Sequence, residues 1–216
     1  MALTFKDITM IQIDGIIGRS FLAGVTIGIG GFINLSCDNH VVGALLFSIC
    51  LLSICLLNLN LFTGKSGFIH DLSDFRRLVL VLIVNLLGAI TFGIIIKFTD
   101  TSIVDSANKI VQTRLAADYS QLIIRSVITG FLMTLAVESE KKQDSNHIIL
   151  VLSIMGFILS GCYHCIAETF YYSVSSLSFT DLFSVIARLS VVIVFNFIGC
   201  NLYNLIVTKK LFNRGT

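Results

Sequence analysis

Along this chain apolar residues run in long blocks, and polar residues gather in the short stretches between them. Six blocks stand out, at residues 20–36, 41–62, 78–98, 119–137, 148–173 and 183–207. Each has roughly the 17 to 25 residues that a helix needs to cross a hydrocarbon core. The pattern predicts an all-α membrane protein with six transmembrane helices. Two blocks are irregular. The second ends in LNLNLFTGKSGF, where Asn58, Asn60, Thr63, Gly64, Ser66 and Gly67 make a poor helix interior. Either the helix breaks near membrane depth, which requires buried or cavity-lining backbone, or the span ends at Leu61 and a loop begins. The fifth block carries a matching irregularity at Ser160, Gly161 and His164. Proline is absent, so these small and polar residues are the available helix breakers.

Asn-Leu-Leu-Gly-Ala at residues 85–89 and Asn-Phe-Ile-Gly-Cys at 196–200 fall in corresponding blocks of two three-span halves. An odd number of spans per half makes the second half enter from the opposite side. The expected architecture is therefore one transmembrane domain over residues 1–216, an inverted repeat of halves at about 15–100 and 115–210, with interrupted second and fifth helices.

Composition agrees with the pattern. Of 216 residues, 55% are hydrophobic and only 13% charged, with a mean hydropathy of +0.91. The spans leave no room for a soluble catalytic domain, so function must lie inside the bundle. Asp7 and Asp14 do not suit the basic start of a cleaved signal, and the first span is expected to stay. The basic residues sort by side: Lys6, Arg19, Lys65, Arg76, Arg77, Lys141, Lys142, Lys209, Lys210 and Arg214 against Lys97, Lys109 and Arg114. That bias predicts a multi-pass protein of the cell membrane, both termini cytoplasmic. The six cysteines lie in or beside apolar helices and imply no disulfide framework.

The candidate chemistry lies in GCYHCIAETFYY, residues 161–172. An ionisable group within a span is by default functional, which singles out His164. Glu168, four residues on, either pairs with it or faces a subunit interface. Cys162 and Cys165 flank the imidazole, so a small membrane oxidoreductase holding haem or metal there is an alternative, although no further ligands at suitable spacing are evident. A membrane scaffold is a third.

The run LNLFTGK (59–65), the two Asn-x-x-Gly helices and the Gly-x-x-His-x-Ile-Ala of the fifth span (161–167) together resemble the formate/nitrite transporter family, as a divergent, short member. The resemblance implies an aquaporin-like fold, a homopentamer with one pore per protomer, and passage of small monovalent weak-acid anions: formate, nitrite, hydrosulfide or related short carboxylates. It implies no enzyme activity and no cofactor; the partners would be the anion, protons and membrane lipids, with no nucleic acid. By the same resemblance Thr63 faces His164, Leu51 and Phe157 form one apolar constriction, Phe47 and Leu61 another, and Asn196 is the family's sixth-span Asn. Arg114 takes the place of a basic residue near the outer start of the fourth span, and with Lys109, also assigned to the outside, it is expected to gather anions at the outer mouth. Tyr163, Glu168 and Gly130 depart from the family pattern.

Overall fold

The computed structural model describes residues 5–141, 147–203 and 205–206. Lys142, Lys209, Lys210 and Arg214 lie outside the described residues. Among the described residues the helices are α1 (Phe5–Ser36), α2 (His40–Leu56), α3 (Phe62–Ser66), α4 (Leu72–Thr99), α5 (Thr101–Ala116), α6 (Tyr119–Glu140), α7 (Ile148–Leu159), α8 (Cys165–Val174) and α9 (Phe179–Tyr203). Among the described residues four stretches are long and apolar enough to cross a membrane: Gly15–Ser36, Leu72–Thr99, Tyr119–Glu140 and Phe179–Leu202. The apolar helices α2 and α7 have 17 and 12 residues, short of the roughly 20 that a span requires. Leu22, Ile49, Ile83, Leu87, Ile124, Leu152 and Ile186 all point outward, which suits a bilayer or a neighbouring subunit rather than water.

The two short helices end in the same way. After α2, Asn58 takes a left-handed φ of 51°, and the N–H of Leu59 reaches back to the Ile54 carbonyl at 2.9 Å. After α7, Gly161 takes a φ of 64°, and the N–H of Cys162 reaches the Phe157 carbonyl, also at 2.9 Å. Both are Schellman closures, with Asn and Gly, the residues that tolerate this backbone, at the left-handed position. An extended link then leads into α3 or α8, whose N-caps are Leu61 and His164.

The extended links are buried, so their peptide groups need partners. Two asparagines, fully buried on α4 and α9, supply them. The Asn85 side chain donates to the carbonyls of Asn60 (2.8 Å) and Ser20 (2.6 Å) and accepts from the N–H of Phe62 (2.7 Å). Asn196 donates to the carbonyls of Tyr163 (2.8 Å) and Ser126 (2.9 Å) and accepts from the N–H of Cys165 (2.9 Å). A carbonyl on the preceding long helix, a carbonyl before the short helix and its first free N–H are thus tied together twice. Close approach makes this possible. A Cβ on Gly24 would run into the Asn85 carbonyl oxygen and one on Gly88 into that of Phe21, joining α1 to α4. Gly130 and Gly199 meet the carbonyls of Asn196 and Val127 in the same fashion, joining α6 to α9.

One element departs from the expected pattern. Residues between the third and fourth blocks read as an outer connection, yet 101–116 form α5. Its N-cap carboxylate, Asp100, accepts from the N–H groups of Ser102 (3.0 Å) and Ile103 (3.3 Å). Ile103, Ala107 and Val111 bury one stripe at helical spacing. Mixed composition hides such a helix from a search for long apolar blocks, because only its inner face is apolar. The α5 helix packs beside α8 and carries Arg114 in its last turn. The Ser102 hydroxyl and the Ile103 N–H hold the Asp100 carboxyl below its usual range. A depressed folded-state pKa contributes stability above the unfolded value of about 3.9, and that contribution is lost as pH falls through the folded value. Acidification from about pH 5 towards pH 2 is therefore expected to loosen the start of α5, read as faster amide exchange at Ser102 and Ile103 once corrected for the intrinsic pH dependence. Unchanged protection would show that burial of the Ile103 stripe, not the cap, holds this turn.

A candidate pore site between the two helix breaks

Two cavities approach the middle of the bundle from opposite ends of α2. The first, about 340 Å³, is lined by His40 and Phe47 of α2, Arg114 of α5, Phe157 of α7, and Gly161, His164 and Glu168 around the second break. The second, about 460 Å³, is lined by Leu51, Ile54, Asn58, Leu61 and Lys65, and by Glu140 and Lys141 where α6 ends. Between them stand Phe47 (1% exposed), Phe157 (3%), His164 (2%), Leu51 (1%), Leu61 (1%) and Thr63 (0%). The Phe157 ring stacks on the His164 imidazole with centroids 5.9 Å apart and meets Phe47 edge-on at 6.5 Å.

His164 is held at both nitrogens. The Ala167 N–H donates to Nδ1 at 3.3 Å, which caps α8. Because Nδ1 accepts, the proton of the neutral ring sits on Nε2, which lies 2.8 Å from the Thr63 hydroxyl oxygen. Nε2–H thus donates to Thr63, and the hydroxyl hydrogen of Thr63 is left for another acceptor. The backbone carbonyl of Thr63 accepts from the Cys200 thiol at 3.3 Å. A hydroxyl and an imidazole, one from each break, therefore face each other in the wall separating the cavities.

Charge enters the first cavity through a buried pair. Arg114 Nε lies 3.3 Å from Glu168 Oε1, with the side chains 13% and 1% exposed. The guanidinium donates to the Gly161 carbonyl at 2.8 Å and lies 4.3 Å over the Tyr163 ring. Arg188 braces the end of α5 by donating to the Ala117 carbonyl at 2.8 Å. Arg125 also reaches the Gly161 carbonyl, at 3.4 Å. At the mouth of the second cavity Lys141 sits over the Phe68 ring. Partial burial lowers its pKa from the ordinary ammonium value, opposed by Glu138 at 3.5 Å.

The structure brings His164, Thr63, Phe47, Phe157, Leu51 and Leu61 together as one layer. Phe157 lines the first cavity with Phe47, and Leu51 lines the second with Leu61. Asn196 does not line either cavity; it holds the second break. Lys109 is exposed and outside both linings. Glu168 pairs with Arg114, neither with His164 nor at an outer face. Asn85 escaped notice as a site residue, although it heads the first Asn-x-x-Gly motif just as Asn196 heads the second. Among the described residues no three of His, Cys, Asp and Glu gather as a metal-ligand group.

Cavities entering an apolar helical bundle from both ends, parted by one side-chain layer, are an arrangement that suits a membrane channel or transporter. The sequence model described as formate/nitrite transporter matches residues 4–209. The chain belongs to that family. No functionally curated protein matches its sequence. Among solved structures, an "FNT family ion channel" superposes with a TM-score of 0.79 at 18% identity, over 90% of this chain and 89% of that one. A "pentameric formate channel with formate bound" superposes with a TM-score of 0.75 at 20% identity, over 86% and 92%. At these identities the likeness establishes the shared fold.

Proposed function

We propose that this protein passes small monovalent weak-acid anions, formate, nitrite, hydrosulfide or a related short carboxylate, through a pore in each protomer, with His164 exchanging a proton with the passing anion. In this reading α2 with α3, and α7 with α8, make the two interrupted spans of a six-span, aquaporin-like inverted repeat. The chain sits in the cell membrane with both termini cytoplasmic, as a homopentamer. The paired Schellman closures and the paired Asn clamps support the repeat. The observation that carries the function is the Thr63–His164 contact in the layer between two cavities.

The physical need is clear. An isolated carboxylate moved into an apolar medium loses hydration worth tens of kcal/mol. Phe47, Phe157, Leu51 and Leu61 offer an ion nothing in return. A proton delivered by the imidazole converts the anion to its neutral acid, which an apolar constriction can pass while hydrated ions are held back. The Thr63 hydroxyl, with its hydrogen free to donate, can hold an anion oxygen beside the ring.

A flux panel in sealed vesicles tests this. Saturable uptake of at least one of formate, nitrite, hydrosulfide, acetate or lactate, accompanied by proton entry, is expected. Rates equal to empty vesicles for all five would end the reading. Native mass spectrometry from mild detergent should give a fivefold mass; a dominant monomer or dimer would refute the pentamer. Lys109, exposed on α5, would act only by attracting anions from a distance. Lys109→Gln should lower flux at dilute substrate by less than about twofold, and the difference should vanish by about 0.15 M salt. A salt-independent loss would give Lys109 a structural part instead.

A further inference from the structure

Among the described residues Glu168 is the one carboxylate in the wall of the first cavity. Both its oxygens are buried without a hydrogen-bond donor among the described residues, and Arg114 Nε, though 3.3 Å away, makes no hydrogen bond either. The contact is an ion pair with unfilled bonding capacity on both partners. The guanidinium, by contrast, is fixed without help from Glu168, by the Gly161 carbonyl and the Tyr163 ring. One partner is anchored and the other is loosely held, beside a space of about 340 Å³.

Arg125, which reaches the same Gly161 carbonyl at 3.4 Å, stands behind the wall and does not line the cavity. The Glu168 carboxylate has Arg114 from α5 as its charged partner. Tyr171 and Tyr172 of its own helix lie within electrostatic reach. Arg188 of α9 is spent on the Arg114 and Ala117 carbonyls, and Lys97 of α4 on the Ser175 carbonyl at the far end of α8. Helix α1 contributes only the amide of Asn34, and α2 the imidazole of His40 at the rim. From the break, His164 is engaged with Thr63.

We propose that Glu168 is an exchangeable carboxylate on Arg114: an incoming anion takes its place on the guanidinium, and Glu168 takes up one proton from the outer water as it is released. This rests on the anion-transport reading above. Two carboxylate-like anions cannot both stay ionised on one guanidinium in an enclosed site. The step balances. One anion and one proton enter, Arg114 stays cationic, Glu168 passes from carboxylate to carboxylic acid, and the net charge of the site is unchanged. The device selects planar anions with two oxygens, such as formate or nitrite, that can match the fork of the guanidinium as a carboxylate does. It also places a proton uptake step outside the apolar layer, before His164 is reached.

The test is equilibrium exchange of labelled formate and of nitrite in vesicles at matched internal and external pH. In wild type the apparent KM should rise with pH, because the ionised Glu168 competes for Arg114. In Glu168→Gln the apparent KM at the alkaline end should fall about tenfold, within the usual range for coupled sites, and lose most of its pH dependence. Glu168→Asp should restore a rise with pH. A second readout uses wild type alone: saturation with nitrite should bring up the infrared carbonyl stretch of a protonated carboxyl. If the Gln variant keeps the wild-type KM profile and loses only maximal rate, Glu168 is a structural counter-ion and the proposal is wrong. If that variant does not assemble, absence of the protonated-carboxyl band in nitrite-saturated wild type overturns it equally. Wild type exchanging neither anion would instead sink the transport reading itself.

Discussion

His164→Asn is expected to cut proton-coupled anion uptake by about a hundredfold, the scale on which a positioned proton donor contributes, and to flatten the pH dependence of maximal rate. Asn keeps an amide near the Thr63 hydroxyl and can still cap α8, since Asn is among the preferred N-cap residues. It cannot carry a proton at any working pH. Expression and assembly should therefore survive while the internal proton source is lost. What remains is leak of acid that is already neutral. A pH series of substrate and proton flux, with Cys165→Ser as the neighbour control, decides it. If the Asn variant matches wild type in rate and pH profile while the Ser variant fails, the proton role of His164 must be given up in favour of thiol chemistry.

The second large effect is on stability. Asn196→Leu removes two donors and one acceptor at once, leaving the carbonyl of Tyr163 and the N–H of Cys165 buried without their partner and taking a second bond from the Ser126 carbonyl within α6. Each orphaned buried group costs about 1–3 kcal/mol, so a loss of about 2 kcal/mol or more is expected. The N–H of Cys165 opens α8, so the imidazole one residue earlier should lose its fixed position and transport should fall with stability. Asn85→Leu should behave as a twin at the first break. Thermal unfolding in detergent measures both. Variants as stable as wild type would mean that the breaks are held by packing alone.

These expectations draw on features that differ in how openly the sequence displays them. The breaks were visible because Asn58 and Gly161 stand where apolar helices would otherwise continue, and polar or small residues there have few other uses. How the backbone beyond Asn58 runs is not readable from the local sequence. It turns on the buried Asn85, more than twenty positions further on, meeting the N–H of Phe62. His164 and Thr63 were legible as a pair only through family resemblance, since nothing in local spacing says that residues so far apart touch. Arg114 and Glu168 each stand out in the sequence, but not as partners: residues 101–116 lack an apolar block, and only a helix there turns Arg114 inward against α8. A buried charge demands an opposite one, and that rule applied to Glu168 points to a cation on a neighbouring helix, which Arg114 supplies.

Leu61 and His164 hold equivalent stations, each the N-cap of a short helix that begins after a buried break. The scaffold does not distinguish them. What distinguishes them is a single choice of side chain, apolar at one and titratable at the other. The two links thus share one backbone plan and differ in chemistry, much as a battery has two identical terminals and unlike plates. Polarity of proton delivery would then be a property of very few residues, open to drift in either direction while the frame around it stays unchanged.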